Sequence, residues 1–594
     1  MCRNHYLAEI GAVILMQFLA AAFFWLGLIT AVPAVFAAEP EVTVITPQAY
    51  DKILKYLLVS PSDVTLYKKI FRAQAKGNFN DAAELTEDLE NHILLGHVLA
   101  EKYLHPDYTA DYKELQAWLE QYSALPQAMR IYKLAQRKGP SEGLTLPRQG
   151  AGSEFIRGWS NADLARRTPA EKQYLLNQVT KFRRELNRGR TRQARLVLEQ
   201  QRFRKLAPDK YWDELAASLA MKYFVDNYNQ LALQWAVRAS RRKTSGMAPW
   251  VAGLASWRMK NYRSAARYFQ QLADSKNSDN WLVSAGAYWA YRSYSRLNNQ
   301  AAAKKMLLRA AQYPHTFYGI LGAFKAGKPL DYNWNSIAYL SNFDNLDYVY
   351  DLLASPAIRR AVILIHAKRP DLAEDEIRYA FDNMTPKQQE AVIFMAAQYK
   401  MHALAIYCCK QVSSNKSAYD RLAYPIPEWV RQGPWRVEKA LVLGLIRQES
   451  SFKTDARSAA GAHGLMQLMP NTAYHITKDR SIKTDSSRLL AADYNLELGQ
   501  RYVEYLLSKP FINGNLFYLM AAYNAGPGNL VKWQKNTVYG NDPLMFIEAV
   551  PSAETRIYIE RVTANYWIYN SRFGIPSPTL EQVAAGKWPM LSKF

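Results

Sequence analysis

The feature that most restricts the fold is a helix–turn–helix pattern that runs from about residue 45 to residue 420. Four turns share one layout, a short polar or glycine-containing turn followed by an Ala-rich helix start: 76–83, 187–194, 259–266 and 297–302. Such hairpins bury their apolar faces by stacking on one another. The period is irregular and no convincing strand alternation occurs. The sequence therefore predicts an all-α fold whose N-terminal part is a superhelical, solenoid-like domain.

Length and composition limit the class of protein. With 594 residues, 49% of them apolar and 21% charged, the chain is too long for one core and too apolar for a disordered protein. Lys and Arg outnumber Asp and Glu by 75 to 52, which favours an acidic polymer as partner. The basic residues are spread along the chain without zinc-finger spacing, an RNP signature or a basic heptad region. We therefore expect no nucleic-acid partner.

The N-terminal segment has the layout of an export signal. A mostly apolar run over 10–32 is followed by small residues, with Val35 and Ala37 placed for cleavage near residue 38. The run is also long enough to span a bilayer, so an uncleaved anchor that associates the chain with a membrane stays open. We expect residues 1–38 to be a signal peptide and the rest of the chain to be periplasmic.

Cysteine usage indicates no disulfide framework. Besides Cys2 in the signal segment, the chain has the adjacent pair Cys408 and Cys409. Adjacent cysteines rarely bridge each other, because the bond needs a separated pair of Cα atoms. No cysteine-based metal site follows either. We expect the pair to lie in a helix core.

Breaks in the helical pattern predict the domain organisation. Residues 138–153, with several Gly and two Pro, are predicted to be a loop or insertion, and the Pro and Gly of 424–434 mark the best boundary. The predicted order is a signal peptide, a helical superhelix domain, a helical linker region and a C-terminal domain with Gly-rich motifs between helices: 1–38, 39–335, 336–430 and 431–594.

The strongest candidate for chemistry is Glu449. It lies near the end of a predicted helix over 435–450 and follows Leu445 by four residues and Leu441 by eight, which places it on the apolar face. A surface carboxylate is the usual alternative for a Glu. Desolvation on an apolar face would raise the pKa of the carboxyl group and keep it protonated near neutral pH, as a general acid requires.

Three further motifs follow Glu449 in the sequence. A loop over 458–470 with two glycines allows backbone to approach a ligand, although a tight loop with core Met explains it as well. At 521–528 an apolar helix ends in Tyr and Asn before a Gly-Pro-Gly turn, and at 550–558 a capping box explains Glu554 well. His463 lacks a second His or an acidic partner at metal spacing, so we expect a loop residue.

Together the four motifs resemble the ordered signature of the soluble lytic transglycosylases, a family with a goose-lysozyme-like, α-rich catalytic domain. The resemblance covers 435–572 closely and extends loosely through 315–321 and 130–135, as in the long, ring-shaped members of the family. It implies that Glu449 is the sole catalytic carboxylate. The residues that it implies bind the glycan in the cleft are Ser458, Gln467, Met469, Tyr523, Asn524, Glu554 and Tyr558.

The mechanism that this resemblance implies uses no water, metal or cofactor. Glu449 would protonate the oxygen between N-acetylmuramic acid and N-acetylglucosamine, and the 2-acetamido group of the sugar would stabilise the cationic centre. Glu449 would then take a proton from the C6 hydroxyl, which closes a 1,6-anhydro ring. Ordinary glycosidases need two carboxylates roughly 5 to 9.5 Å apart, and the sequence offers one convincing candidate.

Two alternatives stay open from the sequence. A lysozyme-like hydrolase on the same fold would use water in place of the C6 hydroxyl, and a non-catalytic helical scaffold would bind glycan or partner proteins without needing Glu449. The expected partners are peptidoglycan glycan strands, with cell-wall synthesis or remodelling proteins as further candidates. We expect a monomer that cleaves from strand ends in cell-wall turnover.

Overall fold

The computed structural model describes residues 59–147, 154–156, 158–160, 162–334, 351–412, 419–430 and 435–592. The predicted signal peptide, part of the predicted loop at 138–153 and the Gly-Pro end of the predicted boundary at 424–434 lie outside these residues. In the described part of the chain, no helix combines the length and the apolar character that a bilayer crossing requires.

Helical hairpins build the N-terminal part of the described chain. Its helices are α1 (Pro61–Gln74), α2 (Phe79–Glu87), α3 (Leu95–Leu104), α4 (Tyr112–Tyr122), α5 (Ala128–Lys138), α6 (Pro169–Asn187), α7 (Thr191–Glu199), α8 (Gln201–Leu206), α9 (Asp209–Val225), α10 (Asn229–Ser240), α11 (Met247–Arg258), α12 (Tyr262–Ala273), α13 (Asn280–Arg296), α14 (Gln300–Ala310) and α15 (Phe317–Lys325). The four predicted turns lie between α1 and α2, α6 and α7, α11 and α12, and α13 and α14. Each reverses the chain with a positive-φ residue, namely Gly77, Gly189, Lys260 and Asn298.

Small residues set the distance between neighbouring hairpins. A Cβ atom at Gly286 of α13 would lie 2.9 Å from the Phe269 carbonyl oxygen and 2.9 Å from Leu272 Cγ, both of α12. Only glycine permits this approach without a shift of the helices. Trp250 and Trp289 are buried around the contact and pack against the Phe269 ring. Most of the hairpins therefore share one continuous core, whereas α3, α4 and α5 pack around a second cluster of buried residues.

A short pair of antiparallel strands interrupts the helices: β1 (Glu154–Ile156) and β2 (Trp159–Ser160). The sequence did not indicate them. Trp159 of β2 stacks on Tyr211 of α9 with ring centroids 4.6 Å apart, so packing on the superhelix stabilises the strands. Residues 139–147 contain no helix, as predicted for the loop.

A second group of helices follows residue 350: α16 (Pro356–His366), α17 (Pro370–Ala380), α18 (Pro386–Gln398), α19 (His402–Gln411) and α20 (Asp420–Ala423). Cys408 and Cys409 lie in α19 as buried, free cysteines. Burial raises the pKa of the Cys409 thiol to about 12, so the thiol stays protonated and unreactive at neutral pH. The predicted core position of the pair is confirmed.

A buried ionic cluster joins the first helices to this second group. The Glu376 carboxylate of α17 lies 2.8 Å from His97 Nε2 of α3 and 2.8 Å from Arg360 Nη2 of α16. Gln127 contacts the other ring nitrogen of His97 at 3.1 Å. Burial alone would raise the pKa of Glu376, but hydrogen bonds from His97 and Arg360 hold it below its usual value. The cluster thus fastens together segments 279 residues apart in sequence.

The C-terminal helices are α21 (Lys439–Glu449), α22 (Pro470–Thr477), α23 (Ser481–Thr484), α24 (Ala492–Leu507), α25 (Leu516–Ala525), α26 (Pro527–Asn536), α27 (Pro543–Ala549), α28 (Ala553–Arg572) and α29 (Pro578–Ala584). α21 packs on α28 at Gly444, where a Cβ atom would lie 3.1 Å from the Tyr566 backbone nitrogen. The helix predicted over 435–450 begins only at Lys439, because Glu438 has an extended ψ of 122°.

Helix α15 connects the superhelix to the C-terminal helices. Phe317 stacks on Trp567 of α28 with ring centroids 5.2 Å apart, and the Tyr318 hydroxyl donates to Glu548 Oε1 at 2.5 Å. The hydrophobic core continues through this contact. The predicted domain boundaries stay predictions.

Candidate active site

Glu449 is the last residue of α21, and its side chain is half-buried. The Tyr558 hydroxyl of α28 donates to Glu449 Oε1 at 2.6 Å. Burial raises the pKa of Glu449 to about 7; the hydrogen bond from Tyr558 opposes this rise and the charge of Glu554 adds to it. A carboxyl group with such a pKa can both give and take a proton near neutral pH.

The end of α21 is held in place by buried contacts on both sides. Arg447, two residues before the end, donates to the Ala423 carbonyl at 2.8 Å and to Asn565 Oδ1 of α28 at 2.9 Å. Phe452, just after the end, has a φ of 69° and is buried beside Trp429. These contacts fix the direction in which the Glu449 carboxyl group leaves the helix.

Two tyrosines form an aromatic wall beside Glu449. The rings of Tyr523 and Tyr558 are nearly parallel, at 10°, with centroids 6.4 Å apart. The Tyr523 hydroxyl donates to the Met466 carbonyl at 2.9 Å, which ties α25 to the loop after α21. Burial and the Glu449 carboxylate raise the pKa of both phenols well above the usual value. Both hydroxyls therefore remain protonated and act as hydrogen-bond donors.

The loop that follows, residues 456–468 (the Gly loop), is stabilised by the side chains that the sequence assigned to glycan binding. Ser458 Oγ accepts from the Ala462 N–H at 2.9 Å. Gln467 Nε2 donates to two carbonyl groups of the loop, at 2.9 and 3.2 Å. Met469, at the start of α22, leaves 39% of its surface exposed. The first two residues therefore shape the loop, and Met469 presents an apolar surface beside it.

Asn495 of α24 is a residue of this site that sequence reasoning missed. It is fully buried, its Oδ1 accepts from the Met466 N–H at 2.8 Å, and its Nδ2 donates to the carbonyls of His463 and Leu489 at 2.9 and 2.8 Å. One side chain thus satisfies three backbone groups of the Gly loop and its neighbour. The sequence contained one signal for this role: Asn495 lies on the apolar face of α24, four residues before the buried Gly499.

His463 is a buried residue of the Gly loop, as predicted. Its Nε2 atom lies 3.2 Å from Arg457 Nη1 and 3.3 Å from Ser486 Oγ. Among the residues that the structure describes, no group of three or more His, Cys, Asp and Glu is placed to hold a metal ion. The expectation that the chemistry needs no metal or cofactor stays a prediction.

A polar pair, Asn524 and Glu554, lies beside the aromatic wall. Asn524 Nδ2 donates to Glu554 Oε1 at 3.2 Å, and Thr555 Oγ1 donates to Asn524 Oδ1 at 2.6 Å. The capping-box interpretation of Glu554 was wrong, because the Ser552 cap of α28 accepts from the Thr555 N–H, which makes Thr555 the N3 residue. Glu554 is one position too early to complete a capping box, and its exposed carboxylate contacts Asn524 instead.

Replacing Gly464 with Ala tests whether the Gly loop positions the site. Gly464 has a φ of 74°, and a Cβ atom would lie 2.3 Å from the Leu489 carbonyl oxygen and 2.5 Å from Asn495 Nδ2. We expect Gly464→Ala to lower the free energy of unfolding by about 1–3 kcal/mol and to reduce glycan cleavage by about tenfold or more. Thermal unfolding and muropeptide release would measure the two effects. Gly461→Ala is the matched control, since its φ is 86° with no atom within 4 Å; equal losses in both variants would contradict the role of the close contact.

A family model for the Transglycosylase SLT domain matches residues 430–544. This stretch contains Glu449, the Gly loop, Asn495 and Asn524. The chain carries an SLT domain. Helix α28 follows the matched stretch, and its Tyr558 contacts that stretch through the hydrogen bond to Glu449.

Relatives with similar sequences are lytic murein transglycosylases. The soluble lytic murein transglycosylase of Escherichia coli strain K12 is 36% identical over 154 residues, which are 26% of this chain and 23% of that protein. A putative soluble lytic murein transglycosylase of Haemophilus influenzae is 23% identical over 354 residues, 58% of this chain and 56% of that protein. The matches therefore span about a quarter of the length of the first relative and over half of the length of the second.

Two solved structures share the fold. An inactive mutant of the lytic transglycosylase Slt from Pseudomonas aeruginosa aligns with a TM-score of 0.58 at 20% identity, over 86% of this chain and 97% of that chain. The 70-kDa soluble lytic transglycosylase of Escherichia coli aligns with a TM-score of 0.50 at 17% identity, over 89% and 99%. The predicted fold class, an all-α superhelix followed by a lysozyme-like SLT domain, is confirmed, and so is the resemblance to soluble lytic transglycosylases.

Proposed function

We propose that this protein is a peptidoglycan lytic transglycosylase that cleaves the β-1,4 bond between N-acetylmuramic acid and N-acetylglucosamine. The observation that supports this most is the half-buried Glu449, with a pKa of about 7 and a hydrogen bond from Tyr558. The SLT domain match and the lytic murein transglycosylases named above agree with this activity.

Glu449 can carry out both proton transfers of the reaction, with the Tyr558 hydroxyl as its hydrogen-bond donor. Protonated Glu449 gives its proton to the glycosidic oxygen as the bond from that oxygen to C1 of N-acetylmuramic acid breaks. The sugar's own 2-acetamido group stabilises the cationic C1 centre. The Tyr558 hydroxyl stabilises the Glu449 carboxylate that this step forms. The carboxylate then takes the C6 hydroxyl proton while O6 bonds to C1, which restores Glu449 and yields a 1,6-anhydro product without water.

The remaining residues of the site are assigned to holding the glycan. Glu554 is exposed and accepts a hydrogen bond from Asn524, so its carboxylate is accessible to accept hydrogen bonds from sugar hydroxyls. Tyr523 and Met469 offer apolar surfaces for the sugar rings, and the Gly loop with Ser458 and Gln467 borders the same cleft.

A pH profile tests the proposed role of Tyr558. We expect the rate to fall as pH rises through about 7, because the protonated form of Glu449 starts the reaction. Tyr558→Phe removes a hydrogen bond that lowers the pKa of Glu449, so the fall should move to higher pH, with kcat reduced by roughly tenfold. Rates on a soluble glycan oligomer at a series of pH values would measure this. Tyr502→Phe, a ring packed against Tyr523, serves as control; a fall that stays in place or moves to lower pH in Tyr558→Phe would contradict the assignment.

We further infer that the enzyme acts in the periplasm during cell-wall turnover and cleaves from strand ends, with the superhelix guiding the glycan. A time course of sacculus digestion distinguishes cleavage from strand ends from cleavage within strands. Cleavage from ends releases small muropeptides from the first minutes, whereas internal cleavage first shortens the average strand.

The activity itself is tested with the full chain and isolated sacculi. Release of soluble muropeptides is the expected result. Binding of sacculi without any release would support the alternative of a non-catalytic glycan-binding scaffold and overturn the proposed function.

A further inference from the structure

A pocket outside the candidate active site lies between α3, α5 and the loop that joins α3 to α4. It has a volume of about 450 Å³ and is open to solvent. Buried Tyr103 and Ala110 line its interior, and half-buried Tyr108 lines its side. We call it the α3–α5 pocket. Its size suits a sugar or a short peptide rather than a folded partner.

The lining of the α3–α5 pocket is strongly cationic. Arg130, Lys133, Arg137 and Lys138 of α5 all line it, and the described lining contains no carboxylate. Arg137 and Lys138 lie in the last turn of α5, where the helix dipole favours cations in any case. The helix dipole does not explain Arg130 and Lys133, because both lie before the last turn of the helix. Among the described residues Lys133 forms no ion pair, whereas Arg130 also interacts with Asp375 of α17.

Rigid aromatic and hydrogen-bonding groups accompany these cations. The rings of Tyr103 and Tyr108 are stacked with centroids 6.1 Å apart, and the Tyr108 hydroxyl is fixed by donating to Glu114 Oε1 at 2.7 Å. His105 Nδ1 accepts a backbone N–H at 3.2 Å, which leaves Nε2 as the donor of the neutral ring. An aromatic wall beside several cations and a donor suits a ligand that carries both apolar surface and carboxylates.

We propose that the α3–α5 pocket is a second, non-catalytic binding site for peptidoglycan, which holds the carboxylates of the stem peptides on a glycan strand. The inference rests on the proposed function. A glycan strand without peptides keeps only the lactyl carboxylate of each N-acetylmuramic acid, because its sugar hydroxyls and acetamido groups are uncharged. A pocket lined by four cations therefore favours strands whose peptides supply further carboxylates. Attachment at two sites raises the effective concentration of the strand at the active site.

The test uses the full chain in a Glu449→Gln background, so that the polymer stays intact during binding. The pocket variant is Lys133→Gln with Arg137→Gln. The control is Lys304→Gln with Lys305→Gln on α14, two exposed lysines whose removal changes the net charge equally. Co-sedimentation would give Kd for intact sacculi. Fluorescence anisotropy would give Kd for the soluble glycan strands that an amidase releases from sacculi by removing the stem peptides, here called stripped strands. A single-stranded oligonucleotide serves as an unrelated polyanion.

We expect Kd for intact sacculi to rise on the order of tenfold in the pocket variant, from the loss of two partly exposed ion contacts, and by no more than about twofold in the control. The two variants should bind stripped strands alike. Equal binding of intact sacculi by both variants overturns the proposal, as does the same loss on stripped strands. An equal loss for the oligonucleotide also overturns it, in favour of a general attraction of polyanions.

Two further measurements distinguish an effect on binding in the α3–α5 pocket from an effect on folding or on catalysis. Thermal unfolding measures whether each variant is as stable as the unmodified chain. If the double variant unfolds at a lower temperature, the single variant Lys133→Glu replaces it. With Glu449 restored, the pocket variant should cleave a short soluble oligomer with unchanged kcat, and a lowered kcat would count against a separate site. If the unmodified chain cleaves nothing, the proposed function fails, while loss of binding in the pocket variant is still scored on its own.

Discussion

Glu449→Gln is expected to reduce glycan cleavage by at least about 10³-fold, because one carboxyl group serves first as the acid and then as the base. Gln has nearly the same shape and its amide oxygen can still accept from Tyr558, so the fold and glycan binding should persist. Muropeptide release and co-sedimentation with sacculi would measure the two properties separately.

Glu554→Gln is the matched control for this prediction, since Glu554 is the other carboxylate near the site and influences Glu449. We expect a loss of about tenfold or less, mainly in KM, as for a residue that only holds the glycan. Equal losses of kcat in the two variants would indicate a pair of catalytic carboxylates, as in hydrolytic glycosidases. That outcome would contradict the single-carboxylate mechanism.

Glu376→Ala is expected to have the largest effect on stability, about 3–5 kcal/mol, because it leaves Arg360 and His97 without the anion that they share in a buried cluster. Urea unfolding followed by circular dichroism and Trp fluorescence would measure it. Glu428→Ala removes an exposed partner of Lys400 and should cost about 1 kcal/mol or less. Similar values for the two variants would contradict the role of the cluster in fastening α3 to α16 and α17.

The stabilisation by Glu376 should also depend on pH. The pKa of Glu376 in the folded protein is below its usual value, whereas in the unfolded chain it is about 4.3. The stabilisation is therefore complete above about pH 4.3 and is lost as the pH falls toward the folded pKa. The difference in stability between the unmodified chain and Glu376→Ala should shrink on acidification; a difference that grows would contradict the assignment.

Local signals in the sequence were sufficient to predict the hairpins and the half-buried position of Glu449. The turns at Gly77 and Asn298 could be predicted because a short polar turn between two helices needs a residue with positive φ. In both places that residue comes shortly before the Ala-rich start of the next helix. Glu449 was readable because its spacing from Leu441 and Leu445 places it on the buried face of one helix. The position of Cys408 followed from the same kind of local pattern.

Features that depend on distant contacts could not be predicted. Asn495 acts through backbone groups about 30 residues away, and His97 meets Glu376 across 279 residues. A local pattern can place a polar side chain on a buried face, but it does not record which distant group that side chain will contact. The capping box at Glu554 was wrongly predicted for a related reason: a shift of one residue in the start of α28 decides which residue occupies the N3 position.

The most direct test of the proposed chemistry is the mass of the muropeptides that the full chain releases from sacculi in water enriched in heavy oxygen. A single carboxyl group that passes a proton from the C6 hydroxyl to the leaving sugar predicts ends that lack the elements of one water and carry no heavy oxygen. Reducing ends that contain one heavy oxygen atom would show that water attacks C1, and would contradict the lyase mechanism in favour of a hydrolase.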